Sequence, residues 1–184
     1  MADRLTKITT KGGDKGKTSI ADGKRLNKFD DRIIAIGEID ELNSSIGVAF
    51  TELSDKANTQ PFAAMLLNIQ HDLFNLGGEL AMPGHEVFQQ TSLDELEKLS
   101  DQLNEQLPPL KEFILPSGSK SVAYTHLSRA ICRRAERQVA LLSTKESVRP
   151  LLLQYINRLS DFLFILARSL GKLEGQTEIM WQRN

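Results

Sequence analysis

Cysteine is almost absent from this chain. Cys132 is the only one in 184 residues, which excludes an internal disulfide framework and fits a reducing, cytoplasmic setting. Histidine is scarce too: His71, His85 and His126 are scattered, and no His or Cys pair stands at metal-ligand spacing, which argues against a zinc site. There is no excess of either charge. A net charge of −1 gives no global basic field for nucleic acid, so any anion site must be local. No apolar run approaches the roughly 20 residues of a membrane span. The first ten residues, MADRLTKITT, lack the apolar core of a secretory signal. Glu-x-x-His pairs are missing as well, which removes a ferritin-like di-iron centre from consideration.

What is present describes one ordinary domain. The chain is 40% hydrophobic and 26% charged, a globular rather than disordered composition, and its length suits one core rather than two. Neither an internal repeat nor a domain linker interrupts it. The division expected is a loop over residues 1–30, a helical bundle over 31–170 and a tail over 171–184.

Helical periodicity dominates. Asp30 and Asp31 are candidate N-caps for a helix over residues 32–53, with an apolar stripe of Ile36, Ile39, Leu42 or Asn43, Ile46 and Phe50. Asp40, Asn43 and Gly47 form a second stripe, either a ligand-facing surface or plain solvent face. A second helix spans residues 62–81, and its Gly77-Gly78 pair suggests close packing. Ser92 with Glu95 reads as a capping box for a third, whose Leu93, Leu96, Leu99, Leu103 and Leu107 face inward until Pro108-Pro109 stops it. The last begins near Pro150, and Leu152, Ile156, Leu159, Leu163, Leu166 and Leu170 keep the 4-3-4-3-4 spacing of a bundle seam. Its other face carries Gln154, Asn157, Asp161 and Arg168. The pattern predicts an all-α, five-helix up-and-down bundle with an N-terminal Gly-rich loop.

Two stretches carry chemistry. Tyr124 to Leu142, YTHLSRAICRRAERQVALL, predicts a helix with Leu127, Ile131, Ala135 and Leu142 on one face. Arg129, Arg133 and Glu136 lie opposite, at i, i+4 and i+7. Guanidinium forks suit phosphate and a carboxylate can hold them in place; the same residues could equally be a solvated face of ion pairs. Ser117 or Ser119 can cap this helix after the apolar loop FILPSGS, in which Phe113 is either a core anchor or a ligand contact. Cys132 reads as a small buried hydrophobe. The second stretch, TTKGGDKGKTSIADG at residues 9–23, has four glycines that allow main-chain N–H groups to approach an anion. Its Gly16-Lys17-Thr18 is similar to the end of a P-loop, but Lys11 stands where the first glycine is needed, and only a short polar strand, Asp3 to Thr9, precedes it. The P-loop fold is therefore rejected and a phosphate cradle kept, with a flexible terminus as the plain alternative.

Three motifs together resemble one family, the PduO-type ATP:cob(I)alamin adenosyltransferases. They are TKGGDKGKTSIADGKR (Thr10 to Arg25) followed by GEIDELNSSIG (Gly37 to Gly47), FILPSGS leading into HLSRAICRRAER (His126 to Arg137), and YINRLSDFLFILAR (Tyr155 to Arg168). Their order and spacing match over residues 8–170. The resemblance implies a homotrimer of five-helix, ferritin-like bundles with ATP at subunit interfaces. It implies transfer of the 5′-deoxyadenosyl group of ATP to cob(I)alamin, with Mg²⁺ held mainly by the ATP phosphates and triphosphate as leaving group. It further implies that Thr10, Lys11, Gly13, Asp14, Gly16, Lys17, Thr18, Ser19 and Lys28 bind the nucleotide, together with Arg129, Arg133, Glu136, Arg137 and Asn157. Asp161 would support that site. Asp40 would pair with Arg129 across the interface, and Phe113 would displace the lower axial ligand of the corrinoid; with Arg133 these form the expected catalytic set. A reductase and an adenosylcobalamin-dependent acceptor enzyme are the implied partners, with neither nucleic acid nor membrane involved. Gly12 departs from the family, where many members carry Thr. A non-catalytic nucleotide or corrinoid sensor is the alternative from another class.

Overall fold

A computed structural model describes residues 9–183. The candidate strand from Asp3 lies outside the described residues, apart from Thr9. Five helices form the bundle: α1 (Asp31–Ser54), α2 (Gln60–Ala81), α3 (Gln90–Asn104), α4 (Lys120–Ser143) and α5 (Pro150–Leu173). A small antiparallel hairpin precedes them, β1 (Lys17–Ser19) paired with β2 (Arg25–Asn27), with Thr18 opposite Leu26. Gly16-Lys17-Thr18 therefore runs into a strand, whereas a P-loop would enter a helix there.

The helices form where the 3-4 alternation is cleanest. Leu152, Ile156, Leu159, Leu163, Leu166 and Leu170 of α5 are all buried, as are Ala35, Ile39, Leu42, Ile46, Ala49 and Leu53 of α1. α4 packs between α1 and α5; α2 packs on α1, and α3 on α5. The Gly77-Gly78 pair does not mark a close approach: a Cβ at Gly77 would meet Ile39 Cγ2 of α1 at 3.6 Å, an ordinary contact, and Gly78 faces open space. The stripe of Asp40, Asn43 and Gly47 splits. Asn43 is buried and donates to the Gln70 carbonyl at 3.2 Å, while Asp40 stays exposed.

Several sequence expectations are corrected. Ser92 does not cap α3, which starts two residues earlier; its hydroxyl donates to Asp72 Oδ1 at 2.7 Å, a tertiary partner that local pattern cannot show. α3 stops at Asn104, so Leu107 lies beyond it and is half-buried. Asp30 occupies the N-cap position of α1, but its carboxylate accepts from the Asn27 N–H at 2.7 Å and leaves the helix uncapped by a side chain. On α4 the buried face is Thr125, Ser128, Cys132, Ala135, Val139 and Leu142. Leu127, expected inside, is 54% exposed. Steps of four residues advance about 400° and drift round a helix of roughly 100° per residue, so Leu127, Ile131 and Ala135 cannot share a narrow seam. Arg168, placed on a polar face by the sequence, is buried; it donates to Glu178 Oε1 at 2.7 Å and to the Pro108 carbonyl at 2.8 Å.

Charged side chains close the end of the bundle where α2 and α5 meet. Glu79 is buried and accepts from the Val87 and Phe88 N–H groups at 3.0 and 2.9 Å and from Arg149 at 2.7 and 2.8 Å. Burial alone would raise its pKa, but the Arg149 bond and the two backbone donors outweigh that and hold it below the ordinary value of 4.5. Glu79 therefore contributes stability above about pH 4.5 that is lost as pH falls through its lower folded pKa. Glu79→Ala leaves the Val87 and Phe88 N–H groups unpaired and strips Arg149 of its buried carboxylate, leaving it Glu86 and the Phe88 carbonyl. Urea unfolding at pH 7 should show a loss of about 2–4 kcal/mol, shrinking as the comparison moves into acid.

Candidate functional site

The Gly-rich loop is held from below. Ala21 N–H donates to the Ala81 carbonyl at the end of α2, Lys28 N–H to the Gly16 carbonyl, and Ile20 is buried at the hairpin root. Above that root the loop is open: Thr10, Lys11, Asp14, Gly16, Lys17 and Ser19 are exposed, with Gly13 and Thr18 half-buried. Lys11 has φ 57° and Gly16 φ 73°, left-handed conformations that bend the loop back on itself. Lys28 crosses close over Gly13, where a Cβ would lie 3.1 Å from Lys28 Nζ and the exposed lysine would have to shift to admit it. The loop so gathers three lysines, Lys11, Lys17 and Lys28, around exposed main chain, which suits a polyanion.

On α4 the arginines meet different fates. Arg134 is bonded to Glu38 of α1 at 2.6 Å and to Glu41, so it is structural. Arg137 donates to the Arg133 carbonyl at 2.9 Å. The Arg133 guanidinium is exposed and has no hydrogen-bond or ion-pair partner among the described residues. Arg129 lies with its guanidinium carbon 5.9 Å from the centre of the Phe164 ring, and its Nε is buried without a partner. Burial, then the positive charge of Arg133, both push the Arg129 pKa down. An anion between these two cations would offset their repulsion and favour the charged form of Arg129.

α5 completes this face. Asn157 Nδ2 donates to Glu136 Oε1 at 2.9 Å, and Arg158 in turn donates to Asn157 Oδ1 at 3.1 Å. Glu136 is thus oriented beside Arg133 and Arg137 rather than left mobile. Asp161 is exposed one turn further on and, with Glu136, places negative charge near Cys132. Burial first, and those carboxylates second, push the Cys132 thiol up, and its Sγ donates to the Ile156 carbonyl at 3.3 Å. It is an inert core group.

Phe113 is not a core anchor: it is 77% exposed. It stands at the rim of an open cleft of about 470 Å³ whose other walls include Leu110, Lys111, Arg129 and Phe164. Phe164 was missed by the sequence reading, although it continues the α5 face of Asn157 and Asp161 at 4-3 spacing. The tail, which showed no sequence pattern, holds the Phe113 loop. Trp181 N–H donates to the Phe113 carbonyl at 2.7 Å, Leu115 N–H to the Ile179 carbonyl at 2.8 Å, and Ile114 bridges Met180. Trp181 docks through its backbone while its side chain stays 42% exposed. Ser119 caps α4, its Oγ accepting from the Val122 N–H at 3.3 Å.

The structure brings Arg129, Arg133, Glu136, Arg137, Asn157 and Asp161 onto one surface formed by α4 and α5. It does not join them to the Gly-rich loop: among the described residues no hydrogen bond or ion pair links residues 9–28 to this cluster. Nor does Asp40 bond to Arg129 within the chain. Asp40 instead edges an apolar groove between α1 and α2 of about 460 Å³, beside Phe74, which is 72% exposed.

Comparison with known proteins points one way. Residues 8–170 match the family described as cobalamin adenosyltransferase. A cobalamin adenosyltransferase of Cupriavidus metallidurans is 46% identical over 100% of this chain and 98% of its own length. The human corrinoid adenosyltransferase MMAB is 40% identical over 98% of this chain and 75% of its own length. A variant of the PduO-type ATP:corrinoid adenosyltransferase from Lactobacillus reuteri, solved with cobalamin and ATP, superposes with a TM-score of 0.90 at 38% identity, covering 96% of this chain and 100% of that one.

Beside Arg129 lies a titration test of the same surface. His126 is buried, its Nδ1 has no partner, and burial first, then the positive charge of Arg129, depress its pKa to about 4 against a weaker pull from Glu178. An unfolded chain takes up a proton near the ordinary value of 6.5 while the folded one does not, so stability falls as pH drops from about 6.5 toward 4. His126→Leu should flatten that part of the curve in urea unfolding at pH 7 and pH 5. An unchanged slope would place the titration elsewhere.

Proposed function

The chain belongs to the cobalamin adenosyltransferase family, and on that premise we propose how its residues divide the work. It is an ATP:corrinoid adenosyltransferase that moves the 5′-deoxyadenosyl group of ATP to the cobalt of cob(I)alamin, giving adenosylcobalamin and triphosphate. Cobalt(I) attacks C5′; the Co–C bond forms as the C5′–O bond breaks, and the electron pair of that bond leaves on triphosphate. The metal is itself the nucleophile, so no general base is needed. What remains for the protein is placing C5′ and countering the charge that grows on the departing phosphates.

The observation that carries the assignment is the uncompensated pair Arg129 and Arg133 on a helix where Arg134 is fully neutralised. We assign Arg133 to the triphosphate and Glu136, steadied by Asn157, to orienting Arg133 and Arg137. Thr10, Lys11, Gly13, Asp14, Gly16, Lys17, Thr18, Ser19 and Lys28 form the loop that encloses the phosphates, and Asp161 supports the nucleotide end of α5. Phe113 is assigned to the lower face of the corrin ring. An apolar side chain there excludes an axial ligand and water, favouring the four-coordinate cobalt that is easier to reduce. Mg²⁺ is assigned to the phosphate oxygens of ATP, and no step is routed through it.

The working unit is proposed to be a cytoplasmic homotrimer with ATP between subunits. Three observations support this: among the described residues the loop and the arginine cluster share no bond, Asp40 has no hydrogen-bond or ion-pair partner, and Phe74 stands exposed beside it. Asp40 then pairs with the partner subunit's Arg129. A reductase that delivers cobalt(I) and an acceptor enzyme for adenosylcobalamin complete the setting.

Under anaerobic conditions the protein with ATP, Mg²⁺ and chemically reduced cobalamin should produce the light-sensitive alkyl-cobalt spectrum. Folded trimer that gives no such change would overturn the reading. Arg133→Ala should lower turnover on the order of 100-fold with an unchanged helical CD signal. Asp40→Arg and Arg129→Asp should each weaken assembly and activity, and the double exchange should recover part of both. No recovery means that the cross-subunit pair is wrong.

A further inference from the structure

The nucleotide loop concentrates glycine at positions 12, 13, 16 and 23, so it has much backbone freedom to lose when it closes on a ligand. Its tip is weakly restrained from within. Gly12 N–H reaches Thr10 Oγ1, and Asp14 N–H the Lys11 carbonyl, both at a long 3.4 Å, and Lys11 occupies a left-handed conformation without being glycine. Among the described residues, one hydrogen bond reaches this tip from outside it. Arg25 donates from Nη2 to the Gly12 carbonyl at 2.7 Å, across thirteen positions of the chain. Arg25 is itself set by the hairpin, where it lies opposite Ser19. Its bond to the tip is short and charge-assisted, the kind able to order a loop at an exposed position.

We propose that Arg25 is a positioning residue for adenosyl transfer, holding the Gly12 carbonyl so that the loop is preset for the triphosphate. The proposal rests on the functional reading above and adds a residue that touches no reacting atom. Arg25 differs here from Lys28, whose ammonium crosses Gly13 at the face of the loop. The space at Gly12 allows the two possible roles of Arg25 to be separated. Gly12 is not in the left-handed region, and a Cβ there would meet Thr10 Oγ1 at 3.5 Å and Arg25 Nη1 at 3.7 Å, ordinary contact distances. Alanine at 12 therefore fits, and it narrows the freedom of the open loop without supplying charge.

Arg25→Ala should raise the KM for ATP about five- to tenfold, the scale of one lost hydrogen bond at a solvent-exposed position, with kcat within about twofold. The KM for the corrinoid should not move. In nucleotide-free protein, trypsin should cut after Lys11 and Lys15 several-fold faster than in the parent, at an unchanged melting temperature. Gly12→Ala introduced into Arg25→Ala should restore part of both the ATP affinity and the protease resistance, and Arg25→Lys should fall between parent and alanine variant. A fall in kcat that Gly12→Ala does not rescue would show that Arg25 acts directly on the nucleotide and would overturn the proposal, as would unchanged KM and cleavage. Absence of transfer in the parent would strike the functional reading alone, because the cleavage comparison needs no turnover.

Discussion

The site depends on how tightly α4 is held between α1 and α5. Its inward face is built from Thr125, Ser128, Cys132, Ala135 and Val139, side chains short enough for two neighbouring helices to approach. The polar ones are largely absorbed locally: Thr125 donates back to the Ser121 carbonyl at 2.7 Å and Cys132 to the Ile156 carbonyl at 3.3 Å. This seam fixes the rotation of α4 about its axis, and that rotation distributes its charges. Arg134 turns toward Glu38 and Glu41 of α1, Glu136 turns toward Asn157 of α5, and Arg133 is left between them facing outward. A larger residue in the seam would move all three relationships at once.

Against that frame, charge compensation separates structure from chemistry. Arg32 is tied to Glu146, Arg149 to Glu79, Arg158 to Glu97 and Arg168 to Glu178. Arg129 and Arg133 are the contrast, close enough for one to depress the pKa of the other, and among the described residues no carboxylate is bonded to either. Partly burying the Arg129 charge beside Arg133 is unfavourable in the free protein, and an anion bound there would offset that cost.

Much of this was legible from the residues. The leucine seam of α5 and the alternation of α1 announce themselves because large apolar residues recur at one helical period. The seam of α4 did not, because Thr, Ser, Cys and Ala bury well without reading as hydrophobic, and Leu127 drew the expected face toward solvent. Ser92 does not cap α3, and Asp30, which does stand at the N-cap of α1, turns its carboxylate elsewhere, because their partners, Asp72 and the Asn27 N–H, are set by tertiary approach or by the hairpin. The arginine cluster and the Gly-rich loop were found by residue type and spacing. Phe164 was not, since one aromatic on an amphipathic helix reads as core until Arg129 is seen above it. The tail carried no period at all, and its pairing with residues 113–115 is a matter of main-chain atoms.

That last pairing separates two properties that are usually bound together. The loop bearing Phe113 is located by carbonyl and amide groups, Trp181 N–H to the Phe113 oxygen and Leu115 N–H to the Ile179 oxygen, none of which belongs to a side chain. Position 113 is in effect a socket whose address is written in backbone, with the ring as a removable fitting. The molecule can alter what it presents to the cleft without altering where it presents it.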